Sequence, residues 1–166
     1  MVRINGETRE YGAGTSYQDI AEEFQPYYKH QIVLAFAGGN HLQELRKRVE
    51  KDCELRFVTT GDPIGHEAYK RSMCFLLVKA VHDVAGHDRI ERVRIHFSVD
   101  KGYYCTVEGG VELTEEFLEK VSARMRELSA EKIIIGKRSV HTYDAVEMFH
   151  RHGMYDKERQ FEYRRV

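Results

Sequence analysis

The chain of 166 residues predicts an α+β fold in two parts. Three patterns lead there. Short alternating strands open the chain around a two-residue turn, one long helical stripe begins near residue 66, and hairpin, helix and strand signals then follow without a repeating βα rhythm. Met1 to Ile4 alternates apolar and polar residues, and Asn5-Gly6 is a hairpin signal that lets Glu7 to Tyr11 return as a second strand. Ser16 offers an N-cap to a short helix carrying Tyr17, Ile20, Ala21 and Phe24 on one face, and Pro26 marks its end. Ile32 to Ala37 reads as a buried strand closed by Gly38-Gly39-Asn40, Cys53 to Val58 as another, and Gly61-Asp62-Pro63 as a loop. Hairpin, helix and further strands within the first 62 residues predict a β-grasp domain.

The second part, 63–166, starts with a helix over 66–86 whose stripe is Tyr69, Met73, Leu77, Ala80 and Val84, closed by Gly86. Val93 to Val99 and Gly102 to Val107 predict a hairpin across Asp100-Lys101. Thr114 caps a helix with Glu115 and Glu116 in its first turn and Phe117, Leu118, Val121, Met125 and Leu128 on its apolar face. Ile133-Ile134-Ile135 reads as a buried strand, and Thr142 as the cap of a last helix ending at Gly153. Phe161 to Val166 reads as a strand with nothing after it, which suggests a piece cut from a longer protein.

Composition narrows the function classes. The chain is 42% hydrophobic with 8 Phe and 10 Tyr, enough to bury a core. Its 26 Lys and Arg against 27 Asp and Glu leave no global basic field for nucleic acid, so only local patches can serve. No apolar run nears the roughly 18 residues that span a membrane. With no signal-peptide stretch and three widely spaced cysteines, Cys53, Cys74 and Cys105, a cytoplasmic protein with reduced thiols is expected. The nine histidines show no metal-ligand spacing: His150 and His152 lie two apart on a helix and do not share a face. No structural metal is expected. Gly136-Lys137 follows an apolar strand signal, but Glu131 holds the place of a phosphate loop's first glycine and Arg138 that of its Ser/Thr, so the chain has no ATP loop of its own. Basic residues gather at Arg46, Lys47, Arg48 and Lys51, and again at Lys137, Arg138, Arg151, Arg164 and Arg165. Glu44, Glu50 and Asp52 interleave with the first set, so a solvated mixed face is the plain alternative to RNA contact.

The stretch Arg71-Ser72-Met73-Cys74-Phe75-Leu76-Leu77-Val78-Lys79-Ala80 resembles the first helix of the editing domain of threonyl- and alanyl-tRNA synthetases, whose pattern is His-Ser-x-x-His-Leu-Leu-x-x-Ala. Arg71 and Phe75 stand where that family has its two histidines. Asp100-Lys101-Gly102-Tyr103-Tyr104, Leu113-Thr114, Met125-Arg126-Glu127-Leu128 and Asp144-Ala145 are similar to further pieces of the same domain. Residues 1–62 resemble the small TGS domain that precedes it in threonyl-tRNA synthetase. The same pair of domains precedes the P-loop domain of some bacterial nucleoside kinases of the uridine kinase type. The pattern at Arg71-Ser72 and Phe75-Leu76-Leu77 resembles theirs, as does Met148-Phe149-His150-Arg151-His152-Gly153-Met154-Tyr155-Asp156-Lys157.

That resemblance implies a non-catalytic accessory module of a uridine kinase, with ATP and Mg²⁺ held in an absent C-terminal kinase domain and no cofactor in this chain. The alternative is a threonyl-tRNA synthetase-like editing domain hydrolysing mischarged tRNA, or an RNA- or nucleotide-binding module; a homo-oligomer stays open. No catalytic residue is assigned. Helical spacing puts Arg71, Phe75, Lys79 and His82 on one face, and with Ser72, Tyr103 and Tyr104 they are the expected ligand-binding residues of a former editing cleft between the 66–86 helix and the hairpin. Arg and Lys beside an aromatic ring can hold an anion next to a stacked base. In the plain alternative, Arg71 and Lys79 are solvated heads whose stems pack on Phe75.

Overall fold

Asn5 and Gly6 take φ of 52° and 87°, the two left-handed positions a tight hairpin demands, and reverse the chain between β1 (Val2–Ile4) and β2 (Glu7–Arg9). In this computed structural model, residues 1–100 and 102–162 are described. Ser16 caps α1 (Tyr17–Phe24) as expected. Its hydroxyl accepts from the Asp19 N–H at 3.1 Å, while the Asp19 carboxylate accepts from the Ser16 N–H at 2.9 Å. Pro26 lies in a short 3₁₀ turn that follows. β3 (Ile32–Ala37), β4 (His41–Glu44) and β5 (Cys53–Thr59) complete a five-stranded sheet of order β2-β1-β5-β3-β4, parallel only between β1 and β5. Val2, Ile4, Leu55 and Phe57 pack against Ile20 and Phe24 of α1, which makes this the β-grasp arrangement. The sequence pattern does not predict β4. His41-Leu42-Gln43-Glu44 is an edge strand with exposed side chains, so it needs no apolar alternation, and Gly38-Gly39-Asn40 is the turn into it.

α2 (Pro63–Ala85) starts earlier than its apolar stripe. Pro63 occupies the first helical position, where a missing N–H costs nothing. Asp62 just before it accepts from the Thr59 N–H at 2.7 Å and the Thr59 hydroxyl at 2.9 Å, bonds that hold its carboxyl below the usual range. Gly65 lets α2 sit on the end of β5: a Cβ there would lie 2.0 Å from the Thr59 carbonyl oxygen. Gly86, at φ 88°, closes the helix as expected.

β6 (Ile90–Val99) and β7 (Gly102–Gly109) form the expected hairpin, and the Thr114 hydroxyl accepts from the Phe117 N–H at 3.2 Å ahead of α3 (Glu115–Ala130). A second core joins these elements through Ala80, Val81, Ile90, Val121 and Leu128, with Leu77, Val84, Val93, Val107, Phe117 and Met125 around it. Tyr69 and Leu118, expected on the apolar faces, are exposed instead. Asp83 ties the two helices: it pairs with Lys79 and accepts from Arg124 Nε at 3.0 Å.

These elements make one compact unit, Met1–Ser129; a second unit begins at Ala130. There the expected strand at Ile133–Ile135 is absent. The three side chains are 37%, 67% and 45% exposed, and no described strand pairs with them, so a β-prone run without a partner stays irregular. Thr142 is the first residue of α4 (Thr142–Arg151) rather than its cap, which is His141. Gly153, at φ 65°, ends that helix turn, and its N–H donates to the His150 carbonyl at 3.0 Å. α5 (Tyr155–Glu162) follows and stacks Phe161 on Phe149, with ring centroids 5.8 Å apart. The expected terminal strand is therefore helical at Phe161 and Glu162; its remainder lies outside the described residues. The fold class is α+β, as the sequence predicts, and no described helix is long and apolar enough to cross a membrane.

Candidate functional site

The helix face carrying the expected ligand residues is mixed in fate. Arg71 lines a groove of about 530 Å³ walled by β3 and β4, with Leu34, Leu42, Ile64 and Ala68 as its apolar floor and Glu44 and Glu67 at its sides. Ser72 turns its hydroxyl back to the Ala68 carbonyl at 3.1 Å, which spends its donor inside the helix. Phe75 is 61% exposed. Lys79 is committed to Asp83, whose carboxyl is held below its usual value by Lys79 first and then by Arg124. His82 is half-buried one turn further on.

The two tyrosines of β7 do not complete that face. Tyr103 stands beside Lys70, whose ammonium is stabilised mainly by Glu67 and then by the tyrosine. Tyr104 points to the opposite side of the hairpin, because successive strand residues alternate. There its ring lies 5.3 Å from His96 and 5.4 Å from Phe97. The structure therefore brings Arg71 to the β3–β4 side of α2, Tyr103 to the Lys70 side, and Tyr104 into an exposed ring cluster. The seven residues do not converge on one cleft.

A different concavity gathers charge. A groove of about 740 Å³ is lined by Tyr17, Gly38, His41, Arg46, Lys47, Arg48, Glu50, Lys51 and Cys53. Its cations ride on the 45–51 loop, which is pinned to the start of α1: Gln18 N–H donates to the Leu45 carbonyl at 2.6 Å, Tyr17 N–H to Lys47 at 2.9 Å, and Val49 N–H to Thr15 at 2.9 Å. Burial of Cys53 in the wall pushes its thiol up, away from thiolate chemistry. The basic run is visible in the sequence but the groove is not, because β4, which carries no apolar alternation, forms one wall. The second basic set is divided: Arg138 and Arg151 line a smaller groove of about 320 Å³ in the second unit, Arg151 pairing with Glu147, while Arg164 and Arg165 lie outside the described residues. Among the described residues no three His, Cys, Asp or Glu side chains gather as a metal set.

No family model matches the chain. It is similar to the threonine–tRNA ligase of Thermotoga maritima, 31% identical over 147 residues that are 87% of this chain and 22% of the ligase. The Thermotoga neapolitana ligase is 29% identical over 151 residues, 90% of this chain and 23% of the ligase. That of Francisella tularensis subsp. novicida is 28% identical over 149 residues, again 90% and 23%. The chain thus spans under a quarter of the length of the curated relatives it matches. These relatives support the threonyl-tRNA synthetase-like reading; the likeness to nucleoside kinases rests on the sequence motifs alone.

Proposed function

We propose that this chain is an RNA-binding module of the threonyl-tRNA synthetase type, in two parts, 1–62 and 63–166, that holds tRNA without hydrolysing an ester on it. One observation carries the reading: similarity to threonine–tRNA ligases runs along about nine-tenths of the chain, yet α2 presents Arg71 and Phe75 where the editing pattern has histidines. A guanidinium stays protonated at neutral pH and cannot serve as a general base, and a phenyl ring has no proton to move. Arg71 keeps a positive charge beside the groove, while Phe75 offers an exposed ring. Both can bind; neither can turn over. The test is incubation of the purified chain with mischarged and correctly charged tRNA. Retention of either tRNA with ester loss no faster than in buffer supports the proposal, and enzyme-dependent deacylation overturns it.

A second reading is favoured by the stretch Met148 to Lys157, which resembles nucleoside kinases: the chain as accessory module of an ATP-dependent uridine kinase, in which ATP and Mg²⁺ would be held by a kinase domain outside these residues. The coding sequence beyond Val166 decides between them. A complete phosphate loop followed by uridine phosphorylation in the full-length product supports the kinase; synthetase motifs there exclude it.

A further inference from the structure

Charge neutralisation is uneven across the protein. Arg9 pairs with Glu7 and Glu23, Lys70 with Glu67, Arg94 with Glu108, Lys120 with Glu116, and Arg124 with Asp83 and Glu127. Arg46, Lys47, Arg48 and Lys51 have no ion pair with a carboxylate among the described residues; Lys47 donates to the neutral Gln43 side chain at 3.0 Å. The acids that interleave with them in sequence are placed elsewhere. Asp52 pairs with the terminal ammonium of Met1, and Glu44 lines the apolar groove on the other side of β4. Glu50 alone shares the cationic groove. The fold thus gathers four exposed cations along a groove whose lining includes the acid Glu50, with Asp19 close to Arg48 where the loop meets α1.

That loop is also preorganised. Its three backbone hydrogen bonds to Thr15, Tyr17 and Gln18, with a bridge between Ser16 and Arg48, fix the chain that carries the charges, so binding an anion orders side chains only. Gly38, at φ 61°, leaves one rim open, with nothing within 4 Å of where a Cβ would stand. Several cations carried by one fixed backbone along a concave path suit a repeating anion better than a single carboxylate. We infer that the groove between the 45–51 loop and β4 is where the phosphate backbone of an RNA strand lies. The choice of RNA over another polyanion rests on the proposed function; the placement rests on the charges.

The experiment measures fluorescence anisotropy of labelled tRNA against the full chain over a salt series, with wild type, the triple variant Arg46→Gln, Arg48→Gln, Lys51→Gln, and the variant Arg138→Gln, Arg151→Gln. Melting midpoints confirm that each is folded, and Arg46→Lys with Arg48→Lys keeps the charge should the glutamines perturb the loop. The triple variant is expected to lose tenfold or more in affinity and to lower the salt slope by about 2, as three contacts at ~0.7 each require; the lysine variant and the Arg138, Arg151 variant are expected to bind nearly as wild type. Wild-type affinity in the triple variant overturns the inference while leaving the RNA-binding reading intact. No binding by the wild type at low salt overturns both. Displacement of tRNA by poly-glutamate as effective as by poly-uridylate at equal charge assigns the groove to an acidic protein and overturns the RNA inference.

Discussion

Asp83 offers the sharpest test of how α2 and α3 are held together. Its side chain is 16% exposed and meets Arg124, 29% exposed, at 3.0 Å, and Lys79, 47% exposed, on its own helix. Replacing Asp83 by Asn keeps shape and removes the charge. The shielded bond to Arg124 is of the charge-assisted kind, about 1.5–3 kcal/mol, and belongs at the low end because Arg124 still touches water. The Lys79 pair on the helix surface adds only about 0.3–0.5 kcal/mol after solvent screening. A total near 2 kcal/mol lowers the melting midpoint by roughly 4–8 °C in a chain of this size. The carboxyl sits below its ordinary 3.8 in the folded protein, so its stabilisation is complete above that pH and is lost as pH falls through the lowered folded value. Thermal unfolding followed by circular dichroism should therefore show a clear gap between wild type and Asp83→Asn at neutral pH, narrowing in acid below 3.8. No measurable shift at neutral pH, or a gap that persists in strong acid, would show that the Asp83 charge does not hold α2 to α3.

Two other outcomes follow from the same structure. Gly65→Ala places a methyl group 2.0 Å from the Thr59 carbonyl oxygen, so α2 must lift from β5; the midpoint should fall by more than in Asp83→Asn, and an unchanged midpoint would show that the junction is looser than described. A strong chelator should leave the melting curve of the wild type unmoved, because the cores are closed by apolar packing; a fall of many degrees would reveal a structural metal.

What the sequence disclosed depended on how much of each signal is local. The Asn5-Gly6 turn, the Ser16 cap, the Gly86 stop and the pairing of β6 with β7 are written in neighbouring residues; Lys101, expected in the turn between those strands, lies outside the described residues. β4 escaped because an edge strand is stabilised by backbone pairing on one side and carries no apolar code. Ile133 to Ile135 misled for the opposite reason: a strong local preference needs a neighbouring strand, and none of the described strands pairs there. The site was the least legible. Helical spacing relates Arg71, Phe75 and Lys79 along one helix, but it cannot reveal that Asp83 engages Lys79 or that Arg71 faces β3 and β4. The basic run at 46–51 was visible as letters. The fold, not the sequence, places Asp52 with the terminal ammonium and Glu44 on the far side of β4.

A native gel with mischarged tRNA labelled on its aminoacyl group tests binding and the lack of hydrolysis in one lane. The expected result is a shifted band that keeps its label for as long as the free aminoacyl-tRNA keeps its own. A band that fails to shift at low salt, or one that shifts and loses the label faster than the free tRNA, contradicts it.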